Sequence, residues 1–199
     1  MMILIAIFCL ILGIVFGALG VADSAAVFLT EHSELVLYVL MFSVGISVGL
    51  NRSVFRSLRS YHIKILIIPS GIILASIAGG AIAGILLNIP PAGGMAIAAG
   101  LGWYSLSGVL VGELFTPQLG TIAFLSNLMR EILTFCLVPF VAKRFNGYTA
   151  IAPAAATSED TTLAILMKYT NEEVVVMAVF NGVLCSAVVP VLTRFFASV

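Results

Sequence analysis

The sequence predicts an all-α, polytopic integral membrane protein with about five to seven membrane segments, two of them broken or re-entrant. Three observations predict it. Of 199 residues, 61% are apolar and 9% charged, where an ordinary soluble domain is about 45–50% apolar and about 25% charged. The mean hydropathy is +1.21, and so few charged side chains cannot cover the outside of a water-soluble domain of this length. The apolar residues also fall in runs near the about 20 residues that cross a bilayer as a helix, cut by charges, Pro and Gly. Nine basic and nine acidic residues leave no net charge, so nothing steers the chain to nucleic acid. The three cysteines, Cys9, Cys136 and Cys185, sit in apolar stretches without metal-type spacing; they read as small hydrophobes, and no metal or other cofactor is expected.

Along the chain the segments are Met2–Ala22, Leu35–Leu50, Ile65–Leu87, Met95–Gly112, Leu119–Ala142 and Val174–Ala197, with a weaker one at Thr149–Met167. The first reads as a span rather than a secretion signal, because no basic residue precedes its apolar run and the run is long for a signal. Arg52, Arg56, Arg59 and Lys64 form a basic loop, and Asp23, Glu31 and Glu34 lie in the loop before it. Short basic loops stay in the cytoplasm. That rule puts the N-terminus and the Arg52–Lys64 loop inside, and the Asp23–Glu34 loop and the Asn88–Gly94 turn outside. If Met95–Gly112 then crosses fully, Lys143 and Arg144 end outside, against the rule. A segment that enters and returns keeps them inside.

Polar chemistry enters the membrane at three places, and irregular backbone is tolerated there only where it faces protein or a water-filled cavity. The first is Gly100–Gly108, in which three glycines beside Trp103, Tyr104, Ser105 and Ser107 predict an interrupted helix; the alternative is close helix packing through small residues. The second is Leu119–Ala142, where Asn127, Arg130, Glu131 and Thr134 share one side of a helix. A charge near mid-span costs at least about 2.5–3.5 kcal/mol, so this stripe faces the protein interior, for function or as a structural ion pair. The third is Thr157, Ser158, Glu159, Asp160, Thr161 and Thr162, polar residues following Pro153 with apolar sequence on both sides. Thr157 or Ser158 is expected to cap a half-helix beginning near Glu159, the broken-helix device of secondary transporters; an ordinary loop with a capped helix is the alternative.

Other polar residues carry less. His32 and His62 fall in extramembrane loops, Lys168, Glu172 and Glu173 read as a solvated turn, and Asn181 is placed one turn into the last span, toward the polar cavity. Catalysis is the weaker class. Ser105 and Ser107 have no histidine within a span, the glycine two places before a nucleophilic serine is missing, and no HExxH or Cys/His cluster exists. A scaffold has no need of acids at mid-membrane, whereas a carrier needs them to bind a cation and exchange it for protons. The whole chain, 1–199, is therefore read as a single transmembrane transporter domain, with a channel as the runner-up class.

These same segments, GLGWYSLSG at Gly100–Gly108, NLMRE at Asn127–Glu131 and ATSED at Ala156–Asp160, carry a resemblance to the lysine exporter (LysO) family of bacterial inner-membrane proteins. It runs from the first span to the last, and the chain resembles a short form, since longer members carry further spans ahead of this region. The resemblance implies export of L-lysine and its analogue thialysine in exchange for protons, dependent on two membrane acids that fall here on Glu131 and Asp160. An ammonium group suits two carboxylates, and Arg130 or a half-helix N-terminus suits the substrate carboxylate. Glu159 departs from the commoner pattern, in which a non-acidic residue precedes the aspartate. A small separate membrane subunit, or a second copy of the chain, is expected to complete the transporter. Arginine, ornithine or a small dipeptide remain open as substrates.

Overall fold

A computed structural model describes Phe8, residues 11–16, 39, 42 and 46, and the chain from Lys64 onward. The expected spans Met2–Ala22 and Leu35–Leu50, and the basic loop up to Arg59, lie outside the described residues apart from those few helical positions. The chain divides into two compact units, 1–50 and 51–199, and the second carries every element below. Among the described residues all regular structure is helical.

Helix α1 spans Lys64–Leu86, and its glycines decide what lies against it. A side chain at Gly80 would meet the carbonyl of Gly94 and the Cβ of Ala98, each at 2.5 Å; small residues let two membrane helices approach to backbone contact. The neighbour is α2, Pro91–Ala98, begun by a proline in its first turn, where the missing N–H is no loss. Helix α3, Tyr104–Leu114, packs instead on α4, Pro117–Arg144, through Gly108, Gly112 and Gly120. The two halves of the expected segment Met95–Gly112 thus take different main neighbours. The interruption is shorter than Gly100–Gly108: Tyr104 to Gly108 are already helical.

Helix α4 is capped by Thr116, whose hydroxyl accepts from the Leu119 N–H at 3.2 Å. Lys143 and Arg144 occupy its last turn, at the negative end of the helix dipole. The weak segment Thr149–Met167 resolves into a short helix α5 (Ile151–Ala154), a 3-10 turn (Ala155–Glu159) and helix α6 (Leu163–Tyr169). The expectation that Thr157 or Ser158 caps a half-helix starting near Glu159 is corrected here. Both hydroxyls lie on carbonyls of the tight turn, Thr157 at 2.8 Å from Ala154 O and Ser158 at 2.7 Å from Ala155 O, and α6 begins only at Leu163. Short side-chain hydroxyls compete for local backbone groups in this way. Helix α7, Glu172–Ala197, is capped by Asn171 and is mostly buried, whereas α1 is mostly exposed along its length. Glu172 and Glu173, read as a turn, are its first residues.

Three described helices are long and apolar enough to cross a membrane: Leu66–Leu86, Pro117–Arg144 and Glu172–Ala197. The two interrupted segments lie among them.

Candidate functional site

The two interruptions touch. The N–H of Ala156 donates to the carbonyl of Leu101 at 3.0 Å, which joins the gap between α2 and α3 to the turn between α5 and α6. At each gap a residue that is not glycine takes positive φ, Leu101 at 50° and Ala155 at 47°. Such backbone is held only where the surroundings over-determine it.

Asn127 on α4 does this for the first gap. Its Oδ1 accepts from the N–H of Gly102 at 2.7 Å, and its Nδ2 lies 3.0 Å from Ile97 O and 3.2 Å from Ser107 Oγ. Gly100 must be glycine, because a Cβ there would stand 2.5 Å from Nδ2 of Asn127. Asn181 on α7 serves the second gap, donating to Ala155 O at 2.9 Å and Ser158 Oγ at 3.0 Å. Ser158 is fully buried, with its hydroxyl also 2.7 Å from Ala178 O.

Arg130 builds the site as well. Its Nε, NH1 and NH2 donate to Pro153 O (3.1 Å), Ser76 Oγ (3.0 Å) and Ala152 O (3.2 Å), and Thr134 adds a bond to Pro153 O at 3.0 Å. Carbonyls at the end of α5 have no partners within the helix, so a planar guanidinium and a hydroxyl from α4 satisfy them. Arg130 and Glu131, neighbours in sequence, thus serve different purposes.

Glu131 is 2% exposed and its Oε2 is a buried oxygen without a hydrogen-bond partner. Uncompensated buried carboxylate is expensive, so such an atom marks a place that something else must fill. Asp160, exposed on the second gap, lies within electrostatic reach of Glu131, as does the Tyr104 phenol, and the Thr161 hydroxyl interacts with the Glu131 carboxyl. Asp160 itself accepts from the backbone N–H and hydroxyl of Thr161. Glu159 points to α7, where its Oε1 accepts from Ser186 Oγ at 2.8 Å.

Of the residues singled out in the sequence, Asn127, Arg130, Glu131, Thr157, Ser158, Glu159, Asp160, Tyr104 and Ser107 gather at the two gaps. Trp103 is half-buried beside the first of them, and Ser105 is exposed. Ser76, Gly182 and Ser186 were not anticipated. Ser76 and Ser186 are isolated hydroxyls in apolar helices, and spacing on one helix says nothing about which neighbour they meet. A cavity of about 300 Å³ between α1, α2 and α4 has Asn127, Arg130 and Ser126 in its wall, with Gly79, Gly80 and Gly84 opposite.

Long apolar helices around two crossed helix breaks, with a buried acid facing them, define a membrane protein of the discontinuous-helix class. The chain belongs to the lysine exporter LysO family, whose model matches residues 7–197. It is 34% identical over 189 residues to lysine exporter LysO of Escherichia coli strain K12, covering 94% of this chain and 62% of that protein. A protein of Haemophilus influenzae provisionally named a lysine exporter is 34% identical over 169 residues, 82% of this chain and 83% of its own length. This chain therefore spans less than two thirds of the Escherichia coli relative. No solved structure matches it.

Proposed function

We propose that the chain exports L-lysine from the cytoplasm across a bacterial inner membrane, in exchange for protons, and accepts thialysine as an analogue. The observation that carries this reading is the unpartnered, buried Oε2 of Glu131 in reach of Asp160 at the crossing of two helix breaks. A carboxylate so placed is stable when a cation or a proton joins it. In this reading the ammonium groups of lysine lie on Glu131 and Asp160, with the Tyr104 hydroxyl and Thr161 beside them. Arg130 carries five N–H donors; those not spent on carbonyls and Ser76 receive the substrate carboxylate. Asn127, Asn181 and Ser158 keep the two gaps open at fixed positions, and Thr157 and Ser107 support them from within. Irregular backbone at membrane depth is tolerated where it faces protein or a water-filled cavity, which supports this reading of the two gaps. A small membrane subunit or a second copy is proposed to complete the assembly.

The test is lysine and thialysine efflux from cells lacking their own exporter, with the wild-type chain, Glu131→Gln and Asp160→Asn. Efflux by the wild type, lost in both variants at equal membrane abundance, is the expected result. Export that survives Glu131→Gln overturns the assignment of that residue. Non-saturating flux indifferent to a pH gradient identifies a channel instead. If the chain alone is silent, co-expression with a neighbouring small membrane protein decides whether a subunit was missing.

A further inference from the structure

Two adjacent acids on one short turn face different elements, and that separation calls for two different ligands. Asp160 is exposed on the side of Glu131 and Tyr104, while Glu159 reaches to α7 and takes a hydrogen bond from Ser186 Oγ at 2.8 Å. We propose that Glu159 carries the exchanged proton, on a site separate from the substrate pair Glu131 and Asp160. The inference rests on the lysine and proton exchange proposed above.

The packing around Glu159 holds it apart from the substrate pair. A Cβ on Gly182 would stand 2.5 Å from the Glu159 nitrogen, 2.6 Å from its Cβ and 2.9 Å from its Cγ. The turn is thus pressed onto the backbone of α7, which fixes the stem of Glu159 against that helix and turns its carboxylate to Ser186 rather than to Glu131 and Asp160. A proton on that carboxylate needs no partner beyond the Ser186 hydroxyl. Among the described residues, the charged and titratable groups in electrostatic reach of Glu159 are Asp160 on its own turn and the Cys185 thiol of α7, and Arg130 of α4 in turn faces that thiol. Arg130 spends its hydrogen bonds on Ala152, Pro153 and Ser76 rather than on Glu159.

Charge points the same way. Among the described residues, one guanidinium stands against three carboxylates at this crossing, an excess of negative charge at a depth where charge is costly. One lysine cation on Glu131 and Asp160, or one proton on Glu159, lowers that excess by the same amount. The loaded and returning forms therefore carry equal net charge, which suits one-for-one exchange. The proton step balances without a further reactant. A proton from water on the outer side forms an O–H bond on the Glu159 carboxylate, and the Ser186 hydroxyl, both donor and acceptor, turns to accept it. Release of the same proton to the cytoplasm restores the carboxylate.

The experiment uses the full chain in proteoliposomes with radiolabelled lysine and a lumenal pH dye. Lysine counterflow at equal pH on both sides needs only the substrate site, whereas accumulation driven by a pH gradient needs the proton site too. For Glu159→Gln, counterflow is expected within about 2-fold of wild type, and gradient-driven accumulation is expected to fall at least about 10-fold. For Ser186→Ala, counterflow is expected to persist while the pH at which gradient-driven transport is half-maximal shifts. Accumulation that survives Glu159→Gln overturns the proposal, as does a pH profile unchanged by Ser186→Ala. Equal loss of counterflow and accumulation in Glu159→Gln, with a monodisperse protein, overturns it in favour of a substrate-binding role. If Glu159→Gln does not yield folded protein, the Ser186→Ala profile decides alone. Absence of wild-type lysine counterflow, both with the chain alone and with the small membrane subunit reconstituted beside it, overturns the lysine reading itself. Wild-type counterflow without proton flux overturns the exchange, and the proposal with it.

Discussion

The gap between α2 and α3 and the gap between α5 and α6 solve the same geometric problem by different means. Each contains one residue at positive φ that is not glycine, and each is clamped by an asparagine on the long helix that follows. The interval from Leu101 to Asn127 equals that from Ala155 to Asn181. The first gap is made pliable by Gly100 and Gly102 and is clamped from α4 by one side chain, Asn127. The second has no glycine and is held by Arg130 and Thr134 from α4, by Asn181 from α7, and by its own Thr157 and Ser158. Only the second carries acids. A turn that must keep carboxylates at set positions needs more fixed contacts than one that only lets another turn cross it.

Six substitutions at five positions break or sharpen this contrast. The largest effect is expected for Arg130→Ala, which removes the guanidinium bonds to two carbonyls at the end of α5 and to Ser76, leaving Pro153 O to Thr134 and Ala152 O without its side-chain donor. Hydrogen bonds to a charged group are worth about 1.5–3 kcal/mol each, so folded protein recovered from membranes should fall severalfold. Arg130→Lys should not restore it, because an ammonium cannot reproduce the planar fork; full recovery with lysine would mean that charge alone suffices.

Next come Asn127→Ala and Asn181→Ala, compared by melting temperature in detergent. Each leaves buried polar groups unpaired at about 1–3 kcal/mol. Asn127→Ala should cost more, since the first gap has no second clamp of this kind. A larger loss for Asn181→Ala would reverse the contrast between the gaps.

Ala155→Gly acts in the opposite direction. Ala155 sits at φ 47° and ψ −116°, a conformation that glycine adopts without strain, so stability should rise by about 1 kcal/mol. A drop in melting temperature would indicate that the Ala155 methyl group contributes more by packing. The smallest effect is expected for Ser105→Ala, on an exposed hydroxyl, within about 0.5 kcal/mol and with unchanged efflux. A clear loss of efflux would bring Ser105 into the substrate site.

The long helices α1, α4 and α7 and the two interruptions were legible in order along the chain, because membrane length and the scarcity of polar residues at depth are properties of sequence. The stripe Asn127, Arg130, Glu131 and Thr134 was legible from helical spacing, and the structure places all four against the gaps. The start of α6 was not. The hydroxyls of Thr157 and Ser158 were available both as caps and as local turn donors, and the choice between these depends on Asn181 and Ala178, which lie on another helix.

Composition alone thus settled that lipid is the solvent, and periodicity settled which face of α4 is turned inward. Both follow from local rules that every residue obeys wherever its neighbours lie. Only the tertiary structure decided that Arg130 is spent largely on backbone carbonyls, that Glu131 Oε2 is left without a partner, and that Glu159 and Asp160 part company across one turn. Hydrogen bonds and close contacts of that kind join residues far apart in the chain, so they exist only once the helices have packed.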